Sequence, residues 1–348
     1  MSEKLFFASD YQEGAHPNII SKIVSTNLEA TPGYGQDNYT LSAIERIRKA
    51  CSCPNAKVEL MVGGTQTNAT VIDALLRNYE GVVSPKTGHV ALHEAGAIEF
   101  GGHKVLEVVS DKGKMSAKDL KVYLETYYAD ENHEHMVKPG MVYISQPTEY
   151  GTLYTKKELE ELSKVSHEYS LPLFVDGARL AYALASEEND ITLSDLARLT
   201  DIFYIGGTKC GALLGEAIVI PDENLVNHFL TTKKQHGALL AKGRLIGIQF
   251  DELFKDNLYL EIGKEAVKFA KTIQDSVSTL KTLSLLYRTP TNQCFIIVPN
   301  GKLEALRSKV SYGFWEKYDD EHTVIRVATS WATEEESVKK LISVLESL

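Results

Sequence analysis

Long apolar runs are missing from this 348-residue chain: no window approaches 18 uninterrupted apolar residues, so no membrane span is expected. Positive charge is the minority sign. With 37 Lys and Arg against 47 Asp and Glu, the net charge of −10 argues against nucleic acid or an anionic membrane as partner, though it leaves room for a local positive pocket that takes a phosphate. Cysteine is scarce, and Cys51, Cys53, Cys210 and Cys294 show no disulfide framework. Cys51 and Cys53 lack a second pair of ligands nearby, which excludes an ordinary zinc site, and reduced intracellular thiols are the expected state. The opening Met1 to Phe7 has an early acidic residue and no apolar core, so it is not a secretory signal and the expected location is the cytoplasm. Repeats and low-complexity stretches are also lacking.

What is present is ordinary in bulk: 43% apolar and 24% charged residues describe a globular protein, and the length suits one large domain with a smaller one. From about residue 57 to 220, short β-branched runs alternate with helix-period stretches, the pattern of repeated βα units and a largely parallel sheet. Seven strands are predicted, at Val58–Val62, Gly81–Ser84, Lys104–Val109, Met141–Ser145, Leu171–Val175, Ile202–Ile205 and Ala217–Ile220. Ser116 with Asp119, and Thr155 with Glu158, have the spacing of helix capping boxes. After Pro221 a long helical stretch is predicted to about residue 279, followed by alternating β and α pieces. The expected division is a large domain over 1–240, with an N-terminal arm over about 1–15, and a small α+β domain over 241–348. Between Tyr123 and Gly140 lies a polar excursion whose His133 and His135 have no third convergent ligand, so no metal site is expected.

The chemistry concentrates in three places. Lys209, in Gly206-Gly207-Thr208-Lys209-Cys210-Gly211, follows an apolar strand, where burial disfavours its charged form. A neutral lysine amine is a nucleophile toward carbonyl compounds, including the aldehyde of pyridoxal phosphate. Asp176 lies 33 residues upstream, also at a strand end, where it could hold a protonated pyridine nitrogen or merely cap a helix. Gly63-Gly64-Thr65 follows a strand and opens a helix, which suits a phosphate and equally suits a tight turn capped by Thr65. Thr208 is a second candidate phosphate donor. Arg179 could grip a carboxylate bidentately or stand on the surface. His89 could stack on a flat ring or move protons, with His93 its competitor.

In order and spacing, Gly64-Thr65-Gln66, the His89 to Glu94-Ala95-Gly96 segment, Asp176-Gly177-Ala178-Arg179 and Gly207-Thr208-Lys209 resemble the low-specificity L-threonine aldolases. The resemblance runs from Ser9-Asp10 to Val324-Ile325-Arg326-Val327. Gly33-Tyr34-Gly35-Gln36-Asp37 and Ser330-Trp331-Ala332-Thr333 look most like the branch containing trypanosomatid enzymes. The resemblance implies pyridoxal 5'-phosphate as cofactor and fold type I, the aspartate aminotransferase architecture of a large α/β domain with a mostly parallel seven-stranded sheet. It further implies Lys209 as the Schiff-base lysine, Asp176 as the pyridine partner, His89 stacked on the ring, and Gly64 and Thr65 at the phosphate. Ser9, Arg179 and Arg326 would receive the substrate carboxylate. Tyr34 would project across a subunit interface of a homodimer or homotetramer, and Lys242 would reach the phosphate from a partner subunit in a register ambiguous by one position.

One departure matters. Where the bacterial enzymes carry a histidine near the substrate hydroxyl, this chain reads Thr148-Glu149-Tyr150-Gly151, so Glu149 is the candidate base, or a contact for a cationic substrate group. The implied reaction splits the Cα–Cβ bond of L-threonine, L-allo-threonine or a related amino acid into glycine and an aldehyde. The alternatives are another pyridoxal enzyme, such as a β-eliminating lyase, racemase or aminotransferase, and a non-catalytic ligand-binding protein.

Overall fold

A computed structural model describes residues 4–348. All seven predicted strands form one sheet, as Lys57–Met61, Glu80–Pro85, Val105–Val108, Lys138–Ser145, Leu173–Asp176, Ile202–Gly206 and Glu216–Ile220. From one edge to the other the order is 57–61, 216–220, 202–206, 173–176, 138–145, 80–85, 105–108. Strand 216–220 runs antiparallel to both neighbours and the other pairings are parallel.

The two-residue period of the strands sorts their side chains onto two faces. Val142, Ile144, Leu173, Val175, Phe203 and Ile205 pack into one apolar cluster, while Met141, Tyr143, Phe174, Ile202, Tyr204 and Ile218 pack into another with Val71 and Ile72 of the helix Gly64–Leu75. Asp176 and Glu216 continue the second set in parity. Their carboxyls therefore fall on the face that this helix covers.

Close approach of the backbone brings two strand ends together. A Cβ on Gly177 would meet the Tyr204 carbonyl oxygen at 2.0 Å, and one on Gly206 would meet the Ala178 carbonyl oxygen at 2.3 Å, so only glycine fits where these strands leave the sheet. The turns carrying Asp176 and Lys209 are held side by side as a result.

A second sheet, antiparallel, has the order Gly313–Lys317, His322–Ala328, Gln293–Pro299, Ser284–Leu285. Helices Lys264–Val277 and Glu335–Glu346 contribute to its core cluster with Phe7. The strand Leu5–Phe6 pairs in parallel with Val310–Ser311. From there residues 8–11 run back toward the large sheet, which places Ala8 against Arg326 and Asp10 against Arg179.

Local signals held where a side chain could satisfy a helix end. Thr155 and Glu158 complete a capping box at the helix Lys156–Glu168, and Ser116 caps Ala117–Ala129 by accepting from the Asp119 N–H. The long helix predicted after Pro221 is instead four, Phe229–Gln235, Arg244–Leu253, Leu258–Glu261 and Lys264–Val277. Left-handed backbone at Gly237, Asp256 and Asn257 breaks it. Lys264–Val277 still buries one face, whereas Arg244–Leu253 is buried all round from Ile246 to Leu253.

Candidate active site

The carboxyl ends of the central strands open on a cavity of about 320 Å³ bordered by Gly63, Gly64, Thr65, Asp176, Thr208 and Lys209. This is the edge at which open α/β sheets bind ligands. A second cavity of about 460 Å³, bordered by Tyr150, Trp315 and Arg326, meets the first along His89, Glu149, Arg179 and Lys209. His89 thus stands between the two, whereas His93 borders only the second.

Asp176 is buried and satisfied on both oxygens: Oδ2 accepts from the Tyr143 hydroxyl at 2.7 Å and Asn68 Nδ2 at 3.1 Å, Oδ1 from the Tyr204 hydroxyl and from the Ala178 N–H at 2.9 Å. Burial pushes its pKa up, but His89 and the Tyr204 and Tyr143 hydroxyls outweigh that push and hold the carboxyl below its ordinary value. It is an ionised acceptor in a dry place. Lys209 is half-buried in the turn beyond strand 202–206, and burial, reinforced by Arg179, lowers its pKa against the opposing pull of Asp10, Asp176 and Glu216.

The helix Gly64–Leu75 begins without a side-chain cap, and nothing lies within 4 Å of where a Gly63 Cβ would be. Gly64 could carry a side chain only by crowding the Tyr204 hydroxyl, 3.2 Å from its virtual Cβ. Thr65 is exposed, and Thr208 Oγ1 accepts from the Gly215 N–H at 3.0 Å.

His89 opens a one-turn helix, His89–Leu92, and its Nδ1 lies 2.8 Å from Glu94 Oε1. Glu94, buried, also accepts from Asn68 Nδ2 at 2.6 Å, so one amide group joins the partner of His89 to Asp176. Burial raises the Glu94 pKa, while His89 and Asn68 pull it down. Glu149, buried beside them, accepts on Oε1 from the Ser145 hydroxyl at 2.6 Å and from the His89 N–H at 3.0 Å. Its pKa is raised by burial, with Asp176 adding to the effect and Ser145 opposing it.

Arg179 is already engaged, its Nε 2.6 Å from Asp10 Oδ2 and its Nη2 3.0 Å from Asp10 Oδ1. Arg326 donates to the Ala8 carbonyl at 3.0 Å and to Gln293 at 3.3 Å, and its buried Nε has no partner among the described residues. Ser9 lies half-buried between the residues that hold these two arginines. Tyr34 and Lys242 are exposed and border neither cavity; the Tyr34 N–H donates to the Ala241 carbonyl, so the two stand together on another surface. His133 is half-buried, and its Nδ1 lies 2.7 Å from the Asp130 carbonyl oxygen.

Asn68, Glu94 and Glu216 had no role in the sequence reading. Glu216 had a usable signal, an acid opening the otherwise apolar strand Glu216–Ile220. Asn68 had none, since its neighbours at the site come from residues 94 and 176.

The chain is similar in sequence and fold to known proteins. Residues 7–298 match the beta-eliminating lyase family model. The chain belongs to the beta-eliminating lyase family. Among curated proteins, the low specificity L-threonine aldolase of Pseudomonas sp. is 31% identical, the match covering 96% of this chain and 95% of that protein. Another, from Pseudomonas aeruginosa, is 28% identical over 96% of this chain and 95% of its own length. Among solved structures, a Leishmania major threonine aldolase superposes with a TM-score of 0.94 at 40% identity, covering 99% of each chain. An aspartate aminotransferase of Thermus thermophilus, at 14% identity with a TM-score of 0.73, covers 99% of this chain and 91% of its own and shares the fold. The lyase fold is therefore the aspartate aminotransferase-like fold type I. No helix of the described residues is long and apolar enough to cross a membrane.

Proposed function

We propose that this lyase is a pyridoxal 5'-phosphate-dependent aldolase that splits L-threonine, L-allo-threonine or a related β-hydroxy-α-amino acid into glycine and an aldehyde. The observation that carries the proposal is the shared cavity of Lys209, with its lowered pKa, and Asp176, ionised although buried. The residues fit the group. An open, uncapped helix start at Gly63-Gly64-Thr65 suits a phosphate, and an ionised acceptor with two tyrosine hydroxyls suits a pyridinium. When bound, pyridoxal phosphate supplies an electron sink for the pair released from the breaking bond.

The chain's own groups do the rest. Asp176 would hold the pyridine proton and Lys209 would provide the attachment point; once displaced, its neutral amine can take up a proton and, as the ammonium, return one to the glycine carbon. His89, oriented through Nδ1 by Glu94, borders both cavities and would cover the ring of a bound cofactor. Arg326, with its free Nε, takes the substrate carboxylate, and Arg179 and Ser9 complete that end. Glu149 accepts the β-hydroxyl proton: its bonds from Ser145 and His89 both fall on Oε1, leaving Oε2 for the substrate. A buried carboxyl with a raised pKa is a stronger base than a free one.

The same proposal makes the enzyme cytoplasmic and a homodimer or homotetramer, with the surface of Tyr34 and Lys242 reaching a partner's site. It keeps a large cofactor domain over 1–240 and a small one over 241–348. Light scattering tests the assembly and limited proteolysis the division.

The deciding experiment supplies purified protein with pyridoxal phosphate, records its absorbance and incubates it with L-threonine, L-allo-threonine and L-serine. Yellow protein whose Lys209 peptide gains a pyridoxyl group on borohydride reduction, with glycine and acetaldehyde from threonine, is expected. Release of 2-oxobutyrate or pyruvate with ammonia would establish an eliminating lyase instead, and protein that stays colourless would sink the pyridoxal reading.

A further inference from the structure

Among the described residues, Glu216 is the one carboxyl on the cavity wall to which the proposed reaction gives no work. It is buried at the first position of strand Glu216–Ile220, where the sheet pairs it with Met61 on one side and Gly206 on the other. Two residues beyond Met61 the chain enters Gly63-Gly64-Thr65, and two residues beyond Gly206 stands Thr208. The carboxyl therefore sits at the junction of the two turns assigned to the phosphate. Its Oε2 accepts from the Gly207 N–H at 3.0 Å. That bond pins one oxygen of a carboxyl whose residue lines the cavity.

An ionised carboxylate cannot share this position with a phosphate dianion without strong repulsion, because little water is left to screen two like charges. A protonated carboxyl can, and its O–H is a donor. We propose that Glu216 is a cofactor-binding residue that donates a hydrogen bond from its protonated carboxyl to the phosphate ester, so that this chain releases phosphate-bearing cofactor as Glu216 ionises. The inference rests on the pyridoxal reading and adds to it a second determinant of phosphate affinity beside the helix start.

The surroundings agree with a proton-bearing group. Burial pushes the Glu216 carboxyl up to about 8, against the pull of the Thr208 hydroxyl, Lys209 and the Gly207 N–H. The other titratable groups facing it are Asp176, Tyr204, Tyr259 and Cys210. Both tyrosines are raised well above their ordinary value and Cys210 is pushed up to about 12, chiefly by burial, so all three stay neutral through the range that matters. Asp176 stays ionised. Lys209 is the remaining variable; a ligand without an aldehyde removes its Schiff-base chemistry, and its own titration is present in wild type and Glu216→Gln alike.

The test measures equilibrium binding of pyridoxamine 5'-phosphate and of pyridoxamine to the wild-type chain and to Glu216→Gln, from about pH 7 to about pH 9. The glutamine keeps an acceptor for Gly207 and a permanent donor toward the cavity. Wild type is expected to lose roughly tenfold in affinity for the phosphate ester across this range, the slope that follows from one proton taken up on binding by a group titrating near 8. Glu216→Gln should match wild type near pH 7 and lack that loss. With pyridoxamine the two proteins should follow the same curve. Parallel curves for the phosphate ester overturn the inference and leave the pyridoxal reading standing, provided wild type binds. A difference that persists with pyridoxamine overturns it too, assigning Glu216 to the ring or to Lys209. Failure of wild type to bind the phosphate ester at any pH removes both readings. Far-ultraviolet circular dichroism of each protein at each pH separates loss of binding from loss of fold, and Glu216→Ala, which has no donor, should be weak throughout if the donor matters.

Discussion

Arg179 and Asp10 form a bidentate pair inside the site, Nε to Oδ2 at 2.6 Å and Nη2 to Oδ1 at 3.0 Å, with Asn292 donating to the same Oδ2 at 2.9 Å. The pair joins two segments far apart in the chain. It also neutralises a buried guanidinium beside Lys209, which helps to set how strongly that lysine is discharged.

Replacing Asp10 by Ala leaves Arg179 buried and unpaired, and loss of one partner of a buried ion pair costs about 3–5 kcal/mol. Thermal unfolding of Asp10→Ala should show a marked drop in midpoint, and Arg179→Met, which leaves Asp10 buried without its guanidinium, should drop as well. The pH dependence carries a definite sign. Burial would raise Asp10, but Arg179 and Lys209 hold it down at about 2. A depressed carboxyl contributes stability that is present above its unfolded value and is lost as pH falls, here between about 4 and about 2. Acid titration of the wild-type chain and of Asp10→Ala should diverge at neutral pH and converge in that window.

Asp176→Asn keeps the size of the side chain and removes its charge. A preorganised charge of this kind is worth on the order of 10²–10³ in rate, and the loss should fall on kcat. Steady-state kinetics checks it, together with the absorbance of the bound cofactor, which should change as the pyridine nitrogen loses its partner.

Glu149→Gln removes the proposed base and leaves an acceptor for Ser145 and His89. A positioned proton transfer contributes roughly 10²–10⁴-fold, so kcat should fall by that order while KM moves little. Because burial raises the Glu149 pKa, wild-type activity should decline with falling pH from a point above the usual glutamate range, and this acidic limb should be missing from Glu149→Gln. A retained limb would assign the proton to another group.

Glu94→Leu takes the acceptor from His89 Nδ1 and from Asn68 together. An orphaned buried donor costs about 1–3 kcal/mol, and the melting temperature should fall accordingly. Activity should fall with it, and Glu94→Gln, which still accepts, should recover much of the stability.

Gly177→Ala tests how the strand ends are brought together. Its Cβ would collide with the Tyr204 carbonyl, a backbone atom that cannot swing aside. Overpacking in a rigid place costs about 1–3 kcal/mol or more, and the shift should separate Asp176 from Lys209 enough to lower kcat as well as stability.

The order of strands along the chain, the glycine turns and the strand-end positions of Lys209 and Asp176 were determined by sequence alone, because period-two apolar patterns and turn residues are local signals. The same local rules missed the break of the helix after Pro221, where left-handed residues at Gly237, Asp256 and Asn257 redirect the chain. Only tertiary structure decided the company each site residue keeps. Pairing residue 216 between residues 61 and 206 put a glutamic acid at the phosphate turns, and folding Asn68 under the sheet edge tied Glu94 to Asp176. The N-terminal strand, anchored on Val310–Ser311, carried Asp10 to Arg179. Sequence spacing carries no information about such contacts, since their energy comes from burial and hydrogen bonding between segments that meet only once the sheet is assembled.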